Sequence, residues 1–164
     1  MSKVIEGQDV VVSFLGPTEF FSSQRPELFV EAYDKIFKAM REHHIKRIYA
    51  IGTPYLADEK DLQGGFKVKI PGAVFRVISH NLWKSFVLIG EVFEKAEDLD
   101  WTIFRVGRLT DAESKKKTEA FDYIGAKGWS PWSSRTGTAE WVIGQIDDDR
   151  KEHIHERPAV CVPR

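Results

Sequence analysis

The amino-acid sequence predicts an α/β domain on a mostly parallel sheet of about four to five strands flanked by helices. Three observations lead there. Short, nearly continuous apolar runs occur at Asp9–Leu15 (DVVVSFL), Arg47–Gly52 (RIYAIG) and Trp101–Val106 (WTIFRV). Strands of this kind belong to sheets covered on both faces. The segments between them repeat apolar residues at three- and four-residue spacing, the period of an amphipathic helix. Strand, helix and strand in that order form a βαβ unit, whose two strands run parallel.

Each element follows from local chemistry. The run at Asp9–Leu15 is closed by Gly16-Pro17, a turn signal. Pro26 and Glu27 suit the first turn of a helix, where proline gives up no needed hydrogen bond and a carboxylate meets the positive helix end. Phe29, Tyr33, Ile36, Phe37 and Met40 then share a stripe, and His43-His44 lie near its end. A long segment with Pro54, Gly64, Gly65 and Pro71-Gly72 follows Gly52, and loops of that length tend to be lids or binding loops. From Ala73 to about Glu97 the residues Phe75, Ile78, Leu82, Phe86, Ile89 and Phe93 form one helical stripe. Phe121–Ile124 reads as a short fourth strand, Thr138 to about Ile146 as a helix and Pro158–Val162 as a closing strand. The whole chain, residues 1–164, reads as one domain.

Composition narrows the function. Hydrophobic residues make up 42% and charged residues 30% of the 164, an ordinary globular balance. With 24 basic and 25 acidic residues the net charge is -1, which gives no overall electrostatic drive toward nucleic acid or an anionic membrane. The single cysteine, Cys161, excludes an intrachain disulfide framework and a paired-cysteine zinc site. His153-Ile154-His155 puts two imidazoles on one face of an extended segment, but zinc needs further ligands and no metal site is expected. No run reaches membrane-span length, so a soluble, cytoplasmic protein is expected.

Four blocks carry a resemblance: IEGQDVVVSFLGP, IKRIYAIGT, LDWTIFRVGRLTD and SRTGTAEWVIGQIDDD followed by ERPAV. In this order they resemble the NmrA-like, atypical short-chain dehydrogenase/reductase group, with Leu99–Ile103 and Arg105–Gly107 the most specific piece. The resemblance implies a Rossmann-like sheet. It also implies that the chain is truncated, beginning where the family's third helix ends, without the glycine-rich turn that cradles a dinucleotide pyrophosphate. Further departures accompany this. The family's Arg-Pro-Gly is Arg105-Val106-Gly107, and glycine stands at Gly137 for aspartate in the last-helix motif. No Tyr-x-x-x-Lys occupies the long helix; His80-Asn81-Leu82-Trp83-Lys84 lies there instead, and Thr53 stands where a catalytic serine would follow its strand.

Ligands of open α/β sheets bind beyond the carboxyl ends of the strands. Those ends carry Ser13 to Pro17, Thr53 to Tyr55, and Arg105 to Leu109. His80 and Lys84, four apart, share a helical face and form an acid/base pair or merely edge a surface stripe. Thr53 and Tyr55 offer hydroxyls to a carbonyl oxygen, or cap a turn. Arg105 binds a carboxylate or enolate in a bidentate manner, or pairs with a local carboxylate. Arg108, Ser13 and Gly16 complete a substrate site, with Tyr123, and with Trp129 and Trp132 either walling it for a flat ligand or plugging the space left by the missing half.

The missing turn points to a cofactor-independent enzyme: an isomerase, dehydratase or cyclase acting by acid/base chemistry on a carbonyl-containing, aromatic or polyketide-like metabolite of secondary metabolism. Its catalytic residues would be His80, Lys84, Thr53, Tyr55 and Arg105, with no cofactor. The alternatives are an NAD(P)H-dependent oxidoreductase with an unusual or partner-completed cofactor site, and a non-enzymatic regulatory module like the family's redox-sensing members. Without a neighbouring strand, Asp9–Leu15 becomes a sheet edge, and a homodimer covering that edge is expected.

Overall fold

A computed structural model describes residues 2–17, 25–65, 76–112, 116–147 and 152–164. Its elements run α1 (Ser2–Ile5), β1 (Val10–Ser13), α2 (Glu27–Glu42), β2 (Arg47–Gly52), a 3-10 helix (Glu59–Gly64), α3 (His80–Glu94), β3 (Asp100–Val106), β4 (Arg108–Thr110), β5 (Glu119–Phe121), β6 (Trp132–Ser134), α4 (Arg135–Asp147) and β7 (Ala159–Cys161). The main sheet has the order β1-β2-β3-β7-β5, and β4 pairs with β6 in a second, two-stranded sheet. β1, β2, β3 and β7 are parallel neighbours, while β5 runs antiparallel to β7. The α/β class, the mostly parallel sheet and its five strands are as the apolar runs require.

One sheet face is covered by α2 and α3. Phe93 is the centre of this side: its ring meets Tyr33 at 4.8 Å, Phe37 at 5.0 Å and Trp101 at 5.9 Å between centroids. The stripe read from the sequence of α2 is the stripe that packs, since Phe29, Tyr33, Phe37 and Met40 are buried. Helix α2 ends as its last residues dictate. His44 takes the left-handed region (φ 59°), and the Ile45 amide donates back to the Met40 carbonyl at 2.9 Å. That closes the C-terminal turn and satisfies a carbonyl which would otherwise lack a partner. The opposite face is covered by α4, whose Trp141 and Val142 join Tyr49, Phe104, Val106 and Val160.

Several details differ from expectation. The long helix breaks at Ser79 (φ -128°, ψ 56°), so α3 starts at His80, and Phe75 lies outside the described residues. The fourth strand is shifted to Glu119–Phe121. His153 and His155 are not on an extended segment: both have positive φ (60° and 56°), and their rings lie on Trp141 and Trp101. The turn is anchored by His155 N donating to Trp101 O at 2.8 Å and Thr102 Oγ1 donating to His153 O at 2.6 Å.

Outside the core, Arg41 grips Asp98 with two hydrogen bonds of 2.7 and 2.8 Å. These bonds hold the Asp98 carboxyl down at about 2. A carboxyl depressed in the folded state stabilises the fold above the ordinary carboxylate range, and that contribution is lost as pH falls toward 2. The Asp98 side-chain carbon should therefore titrate by NMR near 2, and Arg41→Ala should return it toward the ordinary value. Both side chains are about half exposed, so solvent screening keeps the stability change small.

Candidate functional site

The carboxyl ends of β1, β2 and β3 lie side by side, because Ser13 is in register with Ala50 and Gly52 with Arg105. Each exit is shaped locally. The Ser13 hydroxyl lies 3.2 Å from the Tyr33 hydroxyl and accepts from the Leu15 amide at 3.3 Å, while Tyr33 donates to the Leu15 carbonyl at 2.8 Å. Burial raises the Tyr33 phenol to about 12, partly opposed by the Ser13 contact. Just beyond, a Cβ on Gly16 would meet nothing among the described residues within 4 Å. At the β2 exit, Thr53 Oγ1 accepts from the Tyr55 amide at 3.3 Å, the turn-capping role weighed for it. Tyr55, Leu15 and Trp83 pack against the same apolar cluster, bringing the first two exits and α3 together.

At the β3 exit the chain turns at Gly107. A Cβ on Gly107 would stand 2.1 Å from the Pro131 carbonyl oxygen, which also accepts from the Arg108 amide at 2.8 Å. Glycine is required there by close backbone approach. Gly107→Ala should cost about 2–3 kcal/mol, seen as a lowered urea midpoint, and should loosen the β4–β6 pairing. The Arg108 guanidinium sits 5.3 Å over the half-exposed Trp132 ring. Tyr123 and Trp129 are half-buried in the segment before β6.

Arg105 is placed otherwise than a substrate ligand. Its side chain is 0% exposed and paired with Asp61 of the 3-10 helix at 2.5 Å. Its Nε donates to the Arg157 carbonyl at 2.7 Å and its Nη1 to the Leu56 carbonyl at 3.2 Å. Asp61 in turn accepts from the amides of Ile124 (2.8 Å) and Asp58 (3.0 Å). One buried ion pair thus ties the segment after β2, the segment after β5 and the approach to β7. Asp61 went unnoticed in the sequence, because it stands in the polar run Asp58–Asp61 where nothing marks one carboxylate as buried.

His80 is exposed on α3, its ring 5.8 Å from Trp83, and the Lys84 ammonium is bound to Glu27 at 3.0 Å. That bond and the backbone amide of Glu27 lower the Glu27 carboxyl. Since Glu27 opens α2, the positive end of that helix already holds a carboxylate. A separate cavity of about 390 Å³, lined by Asp58, Lys60, Glu94, Trp101, His155 and Arg157 among others, opens at the entry of β3 rather than its exit. Among the described residues there is no cluster of three metal-ligating side chains, and no helix is long and apolar enough to cross a membrane.

Gly16, Thr53 and Tyr55 lie just beyond the carboxyl ends of the neighbouring strands β1 and β2, the side of a parallel sheet on which ligands bind. They do not supply a diphosphate cradle, since these 164 residues contain no Gly-x-Gly-x-x-Gly turn.

Comparison with known proteins bears on this directly. The sequence profile of a family described as NAD(P)H-binding matches residues 1–149. Among solved structures, the chain is similar to a short-chain dehydrogenase/reductase of Veillonella parvula in complex with NADP (16% identity, TM-score 0.69, 98% of this chain and 65% of that one). It is also similar to an oxidoreductase of Lactococcus lactis (17%, 0.62, 100% and 66%) and to an anaerobillin reductase of Escherichia coli O157:H7 (13%, 0.63, 99% and 68%). The chain spans about two thirds of the length of these structures, and at such identities the likeness is one of fold. No curated protein matches by sequence. The profile match overturns the expectation of a cofactor-independent isomerase, dehydratase or cyclase, and with it the expectation of no cofactor. Over residues 1–149 the chain belongs to the NAD(P)H-binding family, and its fold is Rossmann-like.

Proposed function

We propose that this chain forms the substrate side of an NAD(P)H-dependent oxidoreductase acting on a small carbonyl compound. The observation that carries this reading is the NAD(P)H-binding profile running through residues 1–149, across all three strand exits. The NADP held by the Veillonella parvula structure and the reductase name of the Escherichia coli one support it. When bound, the cofactor supplies a hydride. This chain's residues bind and orient: the hydroxyls of Thr53 and Tyr55 donate to the substrate oxygen as it gains charge, the role of preorganised donors. Arg108 on Trp132 offers a cation and a flat face to an aromatic or carboxylate-bearing substrate, and Tyr123 and Trp129 extend that wall. Arg105 acts from behind, through the segments it ties together. A cytoplasmic location goes with this reading, because reduced nicotinamide is an intracellular reductant.

The test is isotope transfer. The 164-residue chain is incubated with NADPH deuterated at C4 and a panel of aldehydes, ketones and quinones. The expected result is deuterium in the reduced product, with kcat lowered about 10²-fold or more by removing the oxyanion donors in Thr53→Ala and Tyr55→Phe. Turnover of these carbonyls with no nucleotide, or no transfer to any acceptor, would reject the proposal.

A further inference from the structure

Arg108 stands where β3 gives way to β4: Gly107 separates the two strands and Arg108 opens the second. Its backbone is fixed there. The amide donates to the Pro131 carbonyl at 2.8 Å, and the pairing of β4 with β6 sets Arg108 beside Trp132. Trp132 is fixed too, its amide donating to Ser130 Oγ at 3.1 Å and its carbonyl accepting from the Val162 amide at 3.2 Å. The guanidinium lies 5.3 Å from the centre of the Trp132 ring, and Trp132 is 49% exposed.

Four other arginines are committed to carboxylates: Arg41 to Asp98, Arg105 to Asp61, Arg135 to Asp111 and Arg157 to Glu94. Asp111, the acid nearest Arg108 along the chain, is therefore already taken. Among the described residues no carboxylate pairs with Arg108, whose contact is the indole ring. A cation on an aromatic face uses the charge and the flat side of the guanidinium. Its N–H donors lie in the guanidinium plane and stay free. The outcome is a steadied, unsatisfied fork at the carboxyl end of the sheet, the end that also carries Thr53 and Tyr55.

We propose that Arg108 grips a carboxylate on the substrate and so selects carbonyl compounds that are also acids. This rests on the reading of the strand exits as the substrate side of an oxidoreductase. A planar fork meets a carboxylate with two parallel hydrogen bonds, a fit that a neutral amide or ester does not offer. The exposed indole beside it gives a flat apolar face to the carbon framework that bears the acid, which favours an aromatic or conjugated acid. An inorganic oxyanion has no framework to lay on that face.

The experiment follows the Trp132 indole N–H and Arg108 Nε–H resonances of the 164-residue chain as benzoate, benzamide or inorganic phosphate is added. Both signals should move with benzoate and saturate at about 10-fold lower concentration than with either of the others. Arg108→Gln should remove the benzoate response of the Trp132 indole. Arg108 is exposed, so this variant should keep its circular dichroism melt. In turnover with NADPH, 4-carboxybenzaldehyde should be preferred to benzaldehyde in kcat/KM, and Arg108→Gln should lower that ratio about 10-fold. Benzoate binding at Arg108 without hydride transfer to either aldehyde would reject the oxidoreductase reading alone and leave the carboxylate grip standing. No response to benzoate, an equal response to benzamide or phosphate, or a response that Arg108→Gln leaves unchanged would overturn the grip, whatever the turnover.

Discussion

Asp61→Ala should destabilise the fold by about 3–5 kcal/mol, a fall in melting temperature of roughly 6–20 °C for a chain of this size. Arg105 has no exposed side-chain surface, and Asp61 is its ion-pair partner. Removing the carboxylate leaves a guanidinium buried without countercharge, the costly half of a broken buried pair. It also strips the amides of Asp58 and Ile124 of their acceptor. Arg105→Met should cost a similar amount by stranding Asp61. The double variant Asp61→Ala/Arg105→Met should lose less than the two single losses combined, because neither charge is then buried alone. That difference measures the coupling directly. If the two single losses simply add in the double variant, the pair does not act as a unit. The double variant should still turn over carbonyl poorly, since Leu56, Ile124 and Arg157 would no longer be tied to one group.

Phe93→Ala should cost about 3–5 kcal/mol. Phe93 is fully buried and touches the rings of Tyr33, Phe37 and Trp101, so truncation opens a cavity where α2, α3 and β3 meet. Edge-to-face contacts with all three neighbours would be lost together. The check is urea denaturation: the midpoint should drop with little change in slope. Phe93→Leu should recover part of the loss by refilling the volume. A midpoint within measurement error of the parent would show that α3 is not seated as described.

The sequence made the frame readable because the frame is local chemistry. RIYAIG and WTIFRV are largely buried and look it, DVVVSFL is only half-buried at the end of the sheet despite the same apolar run, and the stripe Phe29–Tyr33–Phe37–Met40 fixes the buried side of α2. What stayed hidden depends on contacts distant in sequence. β4 and β6 are three-residue strands that pair with each other across a segment that holds β5, and neither has a pattern of its own. Arg105 stood out as a charge at a strand end, for a substrate or for a carboxylate of the chain, but its partner Asp61 lies 44 positions away and nothing in the sequence identified it. The His153 and His155 backbones turn through positive φ, which no propensity for histidine would suggest. The cofactor was misjudged for a different reason: the absence of a glycine-rich turn was treated as the absence of a nucleotide, whereas the NAD(P)H-binding profile runs through residues 1–149.

The most direct test of this account is where NADPH touches the chain. Backbone amide spectra of the isotopically labelled protein should be recorded with NADPH added to millimolar concentration. The account predicts shifts confined to the three exits, at Ser13–Gly16, Thr53–Tyr55 and Gly107–Leu109. Unmoved amides throughout, or shifts gathered instead around Lys60, Trp101 and Arg157 at the entry of β3, would contradict it.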